Sequence, residues 1–419
     1  MFRKTFFPIY FLTIFLLFSS SASLFARSGK PLFKIKARSA VLVNAVSGQV
    51  IYEQNPDLTI PPASLTKLMT LNLVFDAVDE SYLSLDDEIR VSKKAWKTKG
   101  SRMFLEVGKT AALETMIKGI AVVSANDACV AVSEHISGVE SVFVERMNEK
   151  ATRIGMNNTV FKNSHGLPAE GQMTTARDMA VLAVYYLKNH PDVLKYHSIK
   201  KMTYNNISQS NRNGLLWQDV GVDGLKTGWF TKAGFHIIAT AQKNGDRFIA
   251  VVLGSTGERA RENSALKLLN YGFRNFKTVE VIAAGRGIAE MSVWKGKKGK
   301  ALLGIRQNAF ITVPRDATGE VQIQKHFPDK FYAPIRENQA VGTVSILLNG
   351  QKLSEYPLVS LASIEKAGFF KSMTHHVVLL IIQPPYWGGL VFLGVVVIVL
   401  ICFKSAMRLK GKDDLSRFR

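Results

Sequence analysis

A serine hydroxyl becomes a nucleophile only when a nearby base takes its proton. Pro61-Pro62-Ala63-Ser64-Leu65-Thr66-Lys67 carries residues that could do this. The two prolines stop any preceding element and suit the start of a helix. Ser64 would then lie at a helix N-terminus, with Lys67 three residues on along the same face. A neutral lysine one turn away is a competent base, and the helix dipole and backbone N–H groups favour negative charge developing near Ser64. Alone, the pattern also describes an N-cap serine followed by a surface lysine.

Two further motifs have the same double character. Val123-Ser124-Ala125-Asn126-Asp127 follows an apolar run over 117–123. In an extended loop Ser124 and Asn126 project to one side, where a hydroxyl relays a proton and an amide binds a substrate amide. A helix starting near Ala128 would use the same residues as its cap. Val222-Asp223-Gly224-Leu225-Lys226-Thr227-Gly228-Trp229 precedes a pair of strand-like runs. As a strand, it places Lys226 and Gly228 on one face and Thr227 on the other. Gly228 lets a second backbone approach, and a peptide docking along the strand would meet fixed positive charge on Lys226.

Together and in this order, Ser64–Lys67, Ser124–Asn126 and Lys226–Gly228 form the Ser-x-x-Lys, serine/asparagine and Lys-Thr-Gly set. Flanking residues narrow it: Ser124-Ala125-Asn126-Asp127-Ala128-Cys129, Asn163-Ser164-His165-Gly166-Leu167, Thr175-Ala176-Arg177-Asp178-Met179 and Asn211-Arg212-Asn213-Gly214-Leu215-Leu216-Trp217. Over residues 36–365 the chain resembles the low-molecular-weight penicillin-binding proteins, serine-type D-Ala-D-Ala carboxypeptidases. The resemblance implies that Ser64 attacks the penultimate D-Ala carbonyl of a peptidoglycan stem peptide, with Lys67 as base and Ser124 as proton relay. Asn126 would orient the substrate and Lys67. Lys226 and Thr227, with Gly228 between them and Trp229, would hold the substrate carboxylate and tune Lys67. Backbone N–H groups of Ser64 and Trp229 would form the oxyanion hole, and Arg261 would sit near the terminal carboxylate. Water would release the product, and β-lactam antibiotics would acylate Ser64 covalently and persist. Trp229 stands where relatives often carry histidine or another polar residue, which bears on substrate preference and deacylation.

A D,D-endopeptidase acting on cross-linked peptides would use the same residues. A β-lactamase needs fast deacylation, usually through a glutamate-held water, and Glu170 is the only acid in segment 165–175. A non-catalytic wall-binding protein would not need Ser64, Lys67, Ser124 and Lys226 together. Burial and a second lysine both disfavour the charged form of a lysine base, so two lysines with different roles are expected. His165 reads as a buried structural histidine and Cys129 as a small buried apolar residue. Cys129 and Cys402 are too far apart in character to pair, and the eight histidines lack metal-ligand spacing, so neither a disulfide, a metal nor a cofactor is expected.

These residues need a sheet to position them. Residues 39–44 and 49–53 read as one hairpin, and 234–241 and 247–254 as another about Asn244-Gly245. Helical spacing recurs over 65–78, 113–120, 139–154, 179–187 and 259–271. Strands first and last predict an α/β (α+β) domain over 36–276, its mainly antiparallel sheet built from both ends and covered by helices. Short alternating runs predict a small all-β sandwich domain over 277–365, with Lys295, Lys297, Lys298 and Lys300 in a solvated loop.

Both ends read as membrane signals. Residues 1–26 have a positive start, a short apolar core and a small-residue exit, as secretory signal peptides do. A linker over 366–385 leads to the uncharged apolar stretch 386–403, long enough to span a bilayer as a helix. Lys404, Arg408, Lys410 and Lys412 then mark 404–419 as a cytoplasmic tail, which leaves the catalytic domain on the periplasmic, extracytoplasmic side. The net charge of +21 favours anionic surfaces. No nucleic-acid motif accompanies it, so nucleic acid is not an expected partner.

Overall fold

The structure, a computed structural model, describes residues 33–368 together with 392, 394–398 and 400. The chain divides into two compact units, one running to Val279 and taking in Ile311–Thr318, the other made of Glu280–Phe310 and residues from Gly319 onward.

In the first unit, β1 (Ser39–Asn44), β2 (Val50–Gln54), β3 (Val222–Phe230), β4 (Gly234–Lys243) and β5 (Asp246–Ser255) form an antiparallel sheet in the order β2-β1-β5-β4-β3. β1 pairs with β5 from Ser39 opposite Leu253 to Asn44 opposite Phe248. The two ends of the domain therefore meet in the sheet, as the order of the runs predicts. Asn244 and Gly245 join β4 to β5 with φ values of 53° and 84°, a geometry that suits Asn-Gly and a right-handed strand twist.

Every residue of β1 is buried because the sheet is covered on both faces. Val41 and Val43 pack with Ile249, Val251 and Leu253 beneath α1 (Lys67–Asp79), α2 (Asn126–Ser137), α3 (Glu140–Ile154) and α4 (Ala176–Asn189). Ala40 and Leu42 take the other face with Phe248, Ala250 and Val252, against Ala265, Leu268 and Leu269 of α5 (Glu258–Asn275). Leu68, Met69, Leu71, Val74 and Phe75 bury α1 on nearly all sides. A helix that is apolar all round lies inside the domain, so its first residue, Lys67, starts in the core.

The second unit is mainly β. Its β6 (Ala289–Trp294), β7 (Lys300–Gly304), β8 (Val321–His326), β9 (Lys330–Tyr332), β10 (Ala340–Leu348) and β11 (Gln351–Ser360) form one sheet in the order β8-β10-β11-β7-β6-β9. Asn349-Gly350 closes the β10–β11 hairpin, with Leu348 opposite Gln351. Among the described residues no helix is long and apolar enough to cross a membrane. Most of the expected span, 386–403, and all of the signal, 1–26, lie outside the described residues; 392, 394–398 and 400 are helical.

Candidate active site

Ser64 sits on a 3₁₀ turn, Ala63–Thr66, that runs directly into α1. Ala63, Leu65 and Thr66 are buried and Ser64 is half-buried, so Ser64 is the one open step of a turn sunk in the core. Ala63 has φ +48°, a left-handed conformation that costs about 1 kcal/mol or more in a residue with a Cβ. Neighbours hold it there. His236 donates from Nε2 to the Pro61 carbonyl at 3.1 Å, while its Nδ1 accepts from the Gly254 N–H at 2.9 Å. Because an N–H can only donate, the ring carries its proton on Nε2. Burial lowers the His236 pKa to about 4, so the ring is neutral. Gly228 on β3 passes so near that a Cβ there would lie 3.3 Å from the Ser64 nitrogen, an approach that glycine permits.

Lys67 is fully buried. Its Nζ donates to Ser64 Oγ at 3.0 Å and to the His165 carbonyl. Burial pulls its pKa down to about 8, against smaller opposing influences from Cys129 and Asp127. An amine that loses its proton near pH 8 is poised to act as a base at neutral pH. The loop carrying His165 is fixed in turn. The Ser164 carbonyl accepts from Thr70 Oγ1 at 2.5 Å, and Ser164 N and Oγ donate to Glu140 Oε1 at 3.0 and 2.7 Å. His165 Nδ1 accepts from the Leu167 N–H at 3.1 Å. Burial first, then the Lys67 charge, lowers the His165 pKa to about 4.

Ser124 and Asn126 do not lie in an extended loop, contrary to expectation. The run before them is helical: Leu113–Lys118 is an α-helix that widens into a π turn over Gly119–Val123. Val122 and Val123 are fully buried, and the turn closes through N–H groups of Ser124 and Ala125 on the Gly119 carbonyl. Burial of this run from all sides accounts for the helix, which periodicity alone does not distinguish from a buried strand. Ser124 ends it with φ 63° and ψ 40°, and Asn126 opens α2. The Ser124 hydroxyl is buried and has no hydrogen-bond partner among the described residues. Asn126 donates from Nδ2 to the Lys99 carbonyl at 2.7 Å, and from its backbone to Ser101 at 2.7 Å.

On β3, Lys226 and Thr227 are buried, and Lys226 Nζ donates to the Thr227 carbonyl at 3.2 Å. Burial, then the Lys67 charge, then Cys129 in the opposite sense and Arg261 and Arg212 after it, set the Lys226 pKa well below an ordinary lysine. Burial thus works against the positive charge expected on Lys226. The positive charge of Lys67 adds to burial in disfavouring protonation of Lys226. Arg261 is also buried, donating from Nη2 to the Arg212 carbonyl at 3.1 Å, with its guanidinium 5.8 Å from the Phe235 ring. Its Nε has no hydrogen-bond partner among the described residues. Trp229 is 58% exposed, its ring 5.9 Å from that of Phe235. Glu170 is exposed.

The sequence pattern of the D-alanyl-D-alanine carboxypeptidase family matches residues 25–257, more than half of the chain. The chain belongs to that family. The pattern of the penicillin-binding protein 5 C-terminal domain matches residues 276–366. D-alanyl-D-alanine carboxypeptidase DacC of Escherichia coli (strain K12) is 37% identical over 344 residues, covering 80% of this chain and 86% of its own length. The crystal structure of penicillin binding protein 5 from Haemophilus influenzae superposes with a TM-score of 0.73 at 36% identity, covering 81% of this chain and 100% of that one. Penicillin-Binding Protein D2 from Listeria monocytogenes, solved in its cefotaxime-bound form, reaches a TM-score of 0.54 at 31% identity over 58% of this chain and 100% of that one. The chain is therefore a serine peptidase of the penicillin-binding type, with a β domain following its α/β domain. The carboxypeptidase reading is favoured over a β-lactamase or a non-catalytic wall protein.

Several residues that position the site escape a reading of motifs. Asp127, one residue past Asn126, accepts from the Met103 and Leu105 N–H groups at 3.1 Å each. Its signal is an acid beside a motif in an otherwise apolar stretch. His236 is the one strongly polar residue within the apolar strand run 234–241, and that irregularity is its signal. His197 donates from Nδ1 to the Leu225 carbonyl at 3.0 Å, next to Lys226, and accepts from Tyr186 at 3.1 Å. Burial lowers its pKa to about 3. No spacing in the sequence ties it to β3.

Proposed function

We propose that this family member is a membrane-anchored D,D-carboxypeptidase that removes the terminal D-Ala from peptidoglycan stem pentapeptides through an acyl-enzyme on Ser64. The carrying observation is the buried Lys67 amine, 3.0 Å from Ser64 Oγ, with its pKa drawn down to about 8. Neutral Lys67 takes the Ser64 proton as Oγ bonds to the penultimate D-Ala carbonyl carbon. Backbone N–H groups of Ser64 and Trp229 receive the oxyanion. Collapse breaks the peptide bond, and the departing D-Ala amine takes a proton from Lys67 through Ser124, whose hydroxyl has no partner among the described residues. Asn126 orients the acyl chain. Water, deprotonated by Lys67, then cleaves the ester and restores Ser64.

Lys226, Thr227, Gly228 and Arg261 hold the substrate's terminal carboxylate. That carboxylate supplies the counter-charge that burial denies Lys226. Protonated Lys226 in turn disfavours charge on Lys67, so binding primes the base. β-Lactam antibiotics enter the same path as covalent inhibitors of Ser64, which the cefotaxime-bound Listeria relative supports.

Residues 1–26 direct export, 36–276 form the peptidase domain, and 277–365 form the β domain. A linker over 366–385 joins it to a single span over 386–403 with a cytoplasmic tail over 404–419. The catalytic domain stands outside the cell membrane. Basic residues after the span support this orientation, and exposed apolar side chains at its described helical positions, among them Phe392 and Ile398, support the span itself.

Incubation with a pentapeptide ending in D-Ala-D-Ala tests this reading. One D-Ala should leave per peptide, and none with Ser64→Ala. Preferential cleavage of a cross-linked peptide dimer would replace carboxypeptidase with endopeptidase.

A further inference from the structure

We propose that one face of the β domain is a docking surface for anionic phospholipid headgroups. This rests on the reading of residues 386–403 as a membrane span. Parallel pairing of β6 with β9 sets Trp294 opposite Tyr332, their ring centroids 6.5 Å apart. Lys330 Nζ lies 4.9 Å above the Trp294 ring and Lys295 Nζ 6.0 Å above the Tyr332 ring. Tyr332 is 48% exposed. Immediately after Trp294 comes Lys295-Gly296-Lys297-Lys298-Gly299-Lys300, where Lys297, Lys298 and Lys300 are exposed.

The chain's exit from the domain lies against this loop. Gly296 bridges to Lys366, the Lys297 N–H donates to the Glu365 carbonyl at 2.9 Å, and the Ala367 N–H donates to the Lys295 carbonyl at 2.8 Å. Between Gly368 and the span at Tyr386 lie 17 residues. The lysine loop thus lies beside the point where the chain leaves the domain toward the proposed span.

Charge and residue type fit the same partner. Glu365 pairs with Lys297, and Glu290 with Lys300 at 2.7 Å. Lys298, Lys330 and Lys366 against Asp329 then leave a net charge of +2 among these residues. Trp and Tyr favour the headgroup level of a bilayer, and ammonium groups beside them meet lipid phosphates.

The test uses the full chain in phosphatidylcholine vesicles with or without phosphatidylglycerol, following lysine acetylation by mass spectrometry. Lys298 and Lys330 should react about fivefold more slowly when phosphatidylglycerol is present, the factor equivalent to about 1 kcal/mol per lysine. High salt should abolish the difference, and exposed Lys93 of the peptidase unit should show none. Alkaline extraction of the same vesicles reads the anchor independently. Retention with equal acetylation in both lipids overturns the docking surface and leaves the anchor standing. Extraction from both lipids removes the anchor; flotation with phosphatidylglycerol vesicles, lost in a K295Q/K298Q/K330Q variant, would still support the surface, and failure to float would overturn it. Protection by a soluble anionic wall polymer without protection by phosphatidylglycerol also overturns it.

Discussion

Gly166→Ala is the substitution whose effect the structure defines most sharply. Gly166 has φ +87°, and a Cβ built there would lie 1.9 Å from the Ala63 carbonyl oxygen and 2.5 Å from its carbon. Ordinary contact between such atoms starts near 3.4 Å, so the His165–Gly166 loop or the Ser64 turn must retreat by about 1.5 Å. Both are parts of the site. Retreat of the loop withdraws the His165 carbonyl from Lys67, and retreat of the turn moves Ser64 away from Lys67 Nζ. A misplacement of about 1 Å at a reacting centre costs about 100-fold in rate. The expected outcome is a fall of about two orders of magnitude in the second-order acylation rate with a fluorescent penicillin. Gly155→Ala is the control: its φ is +91°, but a Cβ there meets nothing within 4 Å, so it carries backbone strain without the clash. It should lose about 1 kcal/mol of stability and keep the wild-type acylation rate. Wild-type acylation by Gly166→Ala, with thermal stability no lower than that of Gly155→Ala, would refute the close approach.

Three further outcomes follow from the electrostatics. Lys67 must be neutral to accept the Ser64 proton, and its pKa is lowered to about 8. Acylation should therefore rise about tenfold per pH unit below 8 and level off above it; a flat profile from pH 6 to 9 would contradict this. Asp127→Ala strips the Met103 and Leu105 N–H groups of their acceptor and should cost about 2–5 kcal/mol in denaturant unfolding. It also removes a charge that raises the Lys67 pKa, so the acylation profile should move to lower pH; a shift to higher pH would refute that coupling. Burial pushes the Cys129 thiol up to about 12. In the native protein at pH 8, its modification by a thiol reagent should be about a thousandfold slower than that of an unfolded control, and fast native labelling mapped to Cys129 would show a more open site.

Much of the fold could be read from local pattern. The apolar runs of β1, β4 and β5 and the Asn-Gly turns specified strands and hairpins, since a sheet buried on both faces leaves continuous apolar segments. Less was legible where tertiary burial overrides pattern. Helical spacing is legible over 113–120, but the π turn over Gly119–Val123 that decides where Ser124 and Asn126 point is not. β9 is three residues long and joins its sheet in parallel, too short to show alternation. β7 begins at Lys300, at the end of a lysine-rich run that reads as loop. Within the site, side-chain types announced the chemistry of Ser64, Lys67 and Lys226. The contacts through backbone carbonyls did not show, because the His165 carbonyl on Lys67 and the Pro61 carbonyl on His236 leave no trace in residue identity. The depressed Lys226 pKa depends on how completely β3 is covered, which a linear motif does not record.

The central claim is a covalent intermediate on Ser64 formed with Lys67 as base. Its most direct test is trapping the full chain with a penicillin, then digestion and mass spectrometry of the adduct. The account predicts a single acyl group on the peptide that contains Ser64, absent from Ser64→Ala and formed far more slowly by Lys67→Ala. An adduct on any other residue, or undiminished labelling of Ser64→Ala, would contradict it.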